Sequence, residues 1–125
     1  MHSGCPFCML PADRVVDQGD LTVTSLDGYP VSPGHTLVIP KRHVESVFDV
    51  TPAEWSAIKL ALDKAKAKLD AEHQPDGYNV GVNVGEHAGQ TVMHVHVHLI
   101  PRYKGDMDNP RGGVRHIIPN KGYYP

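Results

Sequence analysis

Three histidines stand at alternate positions, His94, His96 and His98, with Val95, Val97 and Leu99 completing the run. In an extended strand, residues i, i+2 and i+4 share a face. The three imidazoles then line one side while the apolar residues enter the other. The chain holds nine histidines in 125 residues, more than a solvated surface requires. Three chemistries are open to such a row. It can be a His-rich strand face in water. It can hold a catalytic metal, although neighbours two apart sit about 6.6 Å from each other and the outer pair about 13 Å, so a straight strand cannot bring all three to one ion. Or the labour is divided, with one imidazole as nucleophile and its neighbours as metal ligand or phosphate contact.

A second reactive group lies near the start, in Cys5-Pro6-Phe7-Cys8, which holds both cysteines of the chain. Its spacing is that of half a zinc site or of a redox dithiol, and two cysteines are too few for a disulfide scaffold.

These residues need elements to position them. Val15–Asp17 and Leu21–Thr24 flank Gln18-Gly19-Asp20 and predict a hairpin. His35–Ile39 is a short apolar strand closed by Pro40. Thr51-Pro52-Ala53-Glu54 combines a cap, a first-turn proline and a capping-box glutamate. From there Trp55, Ile58, Leu62, Ala65 and Leu69 recur at helical spacing, which predicts one amphipathic helix over about 52–73 with that stripe on a sheet. Tyr78–Val84 alternates and predicts a strand; 85–90 is a loop; Thr91–Ile100 predicts the histidine strand, ended by Pro101. Strands around one long helix make an α+β domain on an antiparallel sheet.

With no internal repeat and no dividing linker, residues 1–125 form a single domain, its core about 5–105 and its tail 106–125. From Arg102 onward five basic side chains face two acidic ones, so the C-terminal end is locally basic. Over the whole chain the net charge is −2, which excludes bulk binding to nucleic acid. The longest apolar run, Phe7 to Leu10, is too short for a membrane helix. The N-terminal stretch Met1–Cys8 has neither a basic start nor an apolar segment, so no secretory signal and a cytoplasmic location are expected.

The run His94-Val95-His96-Val97-His98-Leu99-Ile100 resembles the histidine triad motif, in which three histidines alternate with apolar residues. Pro33–Lys41, Asn83-Val84-Gly85 and Gly89-Gln90-Thr91-Val92 match as well, so the resemblance covers roughly 5–105. Gln90 places the chain nearer the Fhit-type dinucleoside polyphosphate hydrolases than the Hint branch, which has Ser there. The cysteine pair is absent from the Fhit type, so features of two branches are combined.

This resemblance implies a HIT-like fold, a five-stranded antiparallel sheet with one long and one short helix, dimerised into a ten-stranded sheet. It implies a nucleotide hydrolase or nucleotidyl transferase in which His96 attacks the α-phosphorus of a dinucleoside polyphosphate, with a purine nucleotide as partner. His98, His35 and Gln90 are then the remaining catalytic positions. Asp27 meets ribose hydroxyls, and Asn83, Gln90 and His98 meet substrate. Cys5, Cys8, His43 and His94 are the ligands of a closed, structural zinc. A carboxamide at Gln90 is a poor proton donor, and an amine leaving from phosphorus needs a proton, so an anhydride suits this chain better than a phosphoramidate. The alternatives are a Hint-like adenosine phosphoramidase and a zinc-stabilised nucleotide-binding module without turnover.

Overall fold

The longest element begins where the capping signal predicts. In the computed structural model, which describes residues 4–125, helix α1 runs Pro52–His73. Met1, His2 and Ser3, the start of the N-terminal stretch considered above, lie outside the described residues. The Thr51 hydroxyl accepts from the Glu54 N–H and the Glu54 carboxylate accepts from the Thr51 N–H, completing the capping box. Gln74, in the left-handed region, closes the helix. Among the described residues the other helical segments are short 3₁₀ helices, from Val47–Asp49 to the five-residue Gly113–Ile117.

Five strands complete the domain: β1 Val15–Gln18, β2 Thr22–Leu26, β3 Thr36–Pro40, β4 Gly77–Gly81 and β5 Val97–Arg102. All pairings are antiparallel, and the spatial order is β1-β2-β3-β5-β4. The α+β expectation holds.

The two faces of the sheet have different cover. Val38, Val97 and Leu99 point to α1, where Ile58, Ala61, Ala65 and Leu69 meet them. Val23, Leu37 and Ile39 point the other way and are covered by Phe7, Leu10 and Val15. Full burial of each large aliphatic side chain contributes roughly 1.5–3 kcal/mol. Because Leu37 pairs with His98, the histidines share the second face, under the N-terminal segment. Gly34 lets the chain turn into β3 with φ +89°; a Cβ there would stand 2.8 Å from Leu69 Cδ2.

Three predicted boundaries move. The helical stripe is offset: Glu54 and Ala61 are buried, whereas Trp55 is 53% exposed. The first inward position is taken by Glu54 because Arg42 reaches under the helix to meet its carboxylate at 2.8 and 3.1 Å. Strand β4 ends at Gly81 rather than Val84. The histidine strand starts at Val97 rather than Thr91 and runs through Pro101 to Arg102. Strand β3 stops beside Leu99, so on that side no ladder partner remains for the missing proline N–H.

The Arg42 guanidinium, helped by the Thr51 N–H, holds the Glu54 carboxyl below its ordinary value even though burial opposes this. A depressed carboxyl contributes stability that is complete above its unfolded value of 4.5 and is lost as pH falls through its folded value. Glu54→Ala is expected to cost about 2 kcal/mol in urea unfolding at neutral pH. The difference between wild type and variant should shrink on acidification below pH 4.5.

Candidate active site

His98 belongs to β5, but His94 and His96 precede it outside the ladder, His94 closing a bend over 92–94. That segment is held instead by the loop after β3: the Val95 N–H donates to the Val44 carbonyl at 2.8 Å. Alternation survives without a regular strand. The His96 and His98 rings lie 5.1 Å apart, and the His94 ring lies 4.9 Å from that of His43. His94 and His96 are buried, and His98 is partly open.

Hydrogen bonds fix which nitrogen of each ring carries its proton, because a carbonyl can only accept. His96 Nδ1 lies 2.8 Å from the His94 carbonyl oxygen, so Nδ1 donates and Nε2 keeps its lone pair. His94 Nε2 lies 2.7 Å from the Pro40 carbonyl, so Nε2 donates and Nδ1 is left as a ligand. Phe7 packs edge-on against the His96 ring at 4.8 Å. This contact was not foreseen from the sequence, and its only signal was the position of Phe7 between the two cysteines.

The unprotonated His94 Nδ1 faces Cys5 Sγ at 3.4 Å and Cys8 Sγ at 3.5 Å, and Cys8 Sγ lies 3.2 Å from His43 Nδ1. Ligands of a tetrahedral zinc with bonds of 2.0–2.3 Å sit about 3.5 Å from one another. The four ligand atoms of Cys5, Cys8, His43 and His94 all lie within 4.8 Å, so the four residues fit a metal ion. Neither cysteine forms a disulfide. Four protein ligands leave no open position for a substrate or a water. A groove of about 660 Å³ runs beside this cluster, along Phe7, Cys8, Leu10, Lys41 and His43.

At the other end of the row stand Asp27, His35 and His98. The Val31 N–H donates to His35 Nδ1 at 3.1 Å, so the His35 proton resides on Nε2. That proton points at His98 Nδ1, 2.9 Å away, with Asp27 Oδ2 at 3.4 Å. His98 Nδ1 therefore accepts, and its Nε2–H is left as a donor. Asp27 Oδ2 is 3.9 Å from His98, while Asp27 Oδ1 accepts from the Tyr29 N–H and caps the turn. These three residues are also close enough to share an ion. The proton on His35 Nε2 occupies the position a metal would need, so this end is a proton chain.

Gln90 departs from expectation. Its carboxamide nitrogen donates to the Glu45 carbonyl at 2.8 Å and the Val92 carbonyl at 3.2 Å, and its oxygen accepts from the Gly85 N–H at 2.9 Å. The residue is buried with its amide committed to main chain. It clasps the 85–92 loop to the segment carrying His43, and has no donor left for a phosphate. The preference for an anhydride drawn from Gln90 loses that support. Asn83 lies just beyond β4. Its amide nitrogen stands 3.7 Å from where a Cβ on Gly89 would sit.

Residues 11–105 match the family model described as HIT domain. The AP-4-A phosphorylase of Mycobacterium tuberculosis is 39% identical over 107 residues, covering 81% of this chain and 55% of that protein. A HIT family protein from Bacillus anthracis has a crystal structure that superposes with a TM-score of 0.77 at 39% identity, over 85% of this chain and 78% of that one. A Zn-bound histidine triad family protein from Mycobacterium smegmatis superposes with a TM-score of 0.74 at 33% identity, over 83% and 78%. Among the described residues no helix is long and apolar enough to cross a membrane.

Burial, reinforced by repulsion from His96 and His35, pushes the His98 pKa down to about 4, against a smaller upward pull from Asp27. In a ring-proton NMR titration His98 is expected to stay neutral until about pH 4. Asp27→Asn should lower that midpoint further. Between pH 6.5 and 4 the unfolded chain binds a proton that the folded one refuses, so this group makes stability fall as pH falls.

Proposed function

The chain belongs to the HIT domain family, and on that premise we propose that it is a nucleotide hydrolase or nucleotidyl transferase cleaving dinucleoside polyphosphates of the ApnA type through a covalent nucleotidyl-His96 intermediate. One observation carries this reading: the His94 carbonyl takes the Nδ1 proton of His96, so the Nε2 lone pair of a neutral imidazole is directed away from the backbone. Neutral imidazole is a good nucleophile at pH 7.

In the first step Nε2 forms a bond to the α-phosphorus while the bridging oxygen leaves with its electron pair as a nucleoside polyphosphate. In the second, an acceptor oxygen forms a bond to phosphorus, the phosphorus–nitrogen bond breaks and its electrons return to Nε2; the acceptor's proton passes to solvent. Two inversions give net retention. Water as acceptor makes a hydrolase, and phosphate makes a phosphorylase, the activity for which the mycobacterial relative is named. Because the leaving polyphosphate departs as a stable anion, no strong proton donor is required.

Charge building on the phosphoryl oxygens needs donors. The His98 Nε2–H is one, held in that tautomer by His35, which acts through His98 as a positioning residue. Asn83, which the family resemblance gives as a substrate contact, is a second. The Asp27 carboxylate accepts ribose hydroxyls with the lone pairs that Tyr29 leaves. Zinc is the metal that suits two thiolates and two imidazoles. Bound there, it ties the N-terminal segment to His94 and supplies structure rather than chemistry. A homodimer through the β4 edge, where Val80 is 51% exposed, accords with the ten-stranded sheet that the family resemblance implies.

His96→Ala should cut turnover of diadenosine polyphosphates by about a thousandfold or more while AMP still binds in calorimetry. Activity within tenfold of wild type would refute the nucleophile. Acid-sensitive mass spectrometry of quenched wild-type reactions should show the nucleotidyl adduct. Chelation, or Cys8→Ala, should lower the melting temperature before it alters turnover; loss of activity at an unchanged melting temperature would make the metal catalytic.

A further inference from the structure

We propose that Arg14 reads the nucleobase and extends the dinucleoside polyphosphate substrates from adenine to 6-oxopurines such as guanine, raising the guanine compounds relative to the adenine ones. Arg14 ends a short 3₁₀ turn, Ala12–Arg14, immediately before β1. The next residue, Val15, pairs with Ser25, two residues before Asp27. From there the side chain reaches Gly28. The Arg14 Nη1 atom occupies the space where a Cβ on residue 28 would stand, with Cζ 3.3 Å from that position. A glycine at 28 is therefore what admits a planar cation beside the Asp27 turn. Arg14 is half-buried, and among the described residues its guanidinium makes no hydrogen bond, ion pair or ring contact. A guanidinium carries five N–H donors and no acceptor. Held against Gly28 with all of them unfilled, it calls for a ligand that brings acceptors.

What stands there follows from the proposed function, on which this inference rests. With the α-phosphorus at His96 and the ribose hydroxyls on Asp27, the base leaves the sugar on the side away from the phosphate. Gly28, the residue after Asp27, and the Arg14 guanidinium packed on it are the groups we assign to that side. Guanine presents two adjacent acceptors, N7 and O6, which match the two parallel donors of a guanidinium; adenine presents N7 beside an amino donor, which opposes them. One fork thus separates the two purines.

The test compares kcat/KM for bis(guanosine) and bis(adenosine) polyphosphates of equal phosphate number. In Arg14→Ala the guanosine-to-adenosine ratio should fall about tenfold, the order expected for one bidentate base contact. Arg14→Lys keeps the charge but not the fork and should show most of that fall. Gly28→Ala pushes the guanidinium aside without changing charge and should reproduce it. Melting temperatures within a few degrees of wild type would show that the variants are folded; GMP and AMP binding to each, by calorimetry, gives a second readout of the ratio. A ratio that stays constant across all three variants overturns the proposal, and so does an equal loss on both substrates, which would mean that Arg14 meets something they share. Should wild-type protein bind neither mononucleotide and turn over neither substrate, the nucleotide reading itself fails and this inference falls with it.

Discussion

A single hydrogen bond, from His96 Nδ1–H to the carbonyl oxygen of His94 at 2.8 Å, links the two halves of this molecule. His94 is committed three times over. Its Nε2 donates to Pro40, its Nδ1 faces the two sulfurs, and its own carbonyl fixes the tautomer of its neighbour. Any displacement of His94 therefore moves the acceptor that fixes the His96 tautomer. The sulfur cluster is 89 residues away in sequence from that carbonyl, yet it determines where it points. A domain of this size has little apolar core to spare for holding a strand still, and a metal tetrad is an economical substitute. Phe7 extends the same coupling, since the residue between the two cysteines packs on the His96 ring.

The support extends to the other side of the sheet. Glu54 closes the helix cap and binds Arg42, and Arg42 is the residue before His43. The Arg42 side chain also reaches the Asp49 carbonyl. Gln90 then clasps the loop ahead of the histidines to Glu45. The segment 41–45 is thus held from the helix, from the 85–92 loop and from the Val44–Val95 backbone bond. Buried polar groups of this kind must be satisfied, and here each satisfied group fixes one more degree of freedom near His94.

Much of this could be read from residue order alone, and the rest could not for identifiable reasons. Helix α1 is local: its cap, its proline and its stripe lie within one window, so its limits matched. The Cys5, Cys8, His43 and His94 set followed from the family resemblance, and the geometry brings those four together, whereas the contact between His35 and His98 appears only in the structure. Boundaries failed where a distant segment takes over. His94 to His96 look like a strand by alternation, but their backbone partner is Val44, whose approach no periodicity announces. Trp55 falls on the predicted apolar stripe and stays outside because a charged pair, Glu54 with Arg42, claims the first inward position. Gln90 misled for a similar reason: a carboxamide in a glycine-rich loop reads as a ligand contact until its three main-chain partners are known.

The two ends of the histidine row carry the same residue type and meet opposite fates, and the backbone decides which. At His94 a carbonyl, that of Pro40, takes the Nε2 proton and leaves the other nitrogen bare toward two thiols. At His35 a main-chain N–H, that of Val31, fills Nδ1 and forces the proton onto the nitrogen facing His98. A bare nitrogen binds metal, whereas a protonated one repels it. Two clusters that look equally fit for an ion by distance are thereby distinguished: one turns a bare nitrogen toward two sulfurs, the other turns an N–H toward its neighbouring imidazole. Had the carbonyl and the N–H been exchanged, the bare nitrogen would face His98 and the N–H would face the sulfurs. The division of labour along the row is set by two backbone groups outside it.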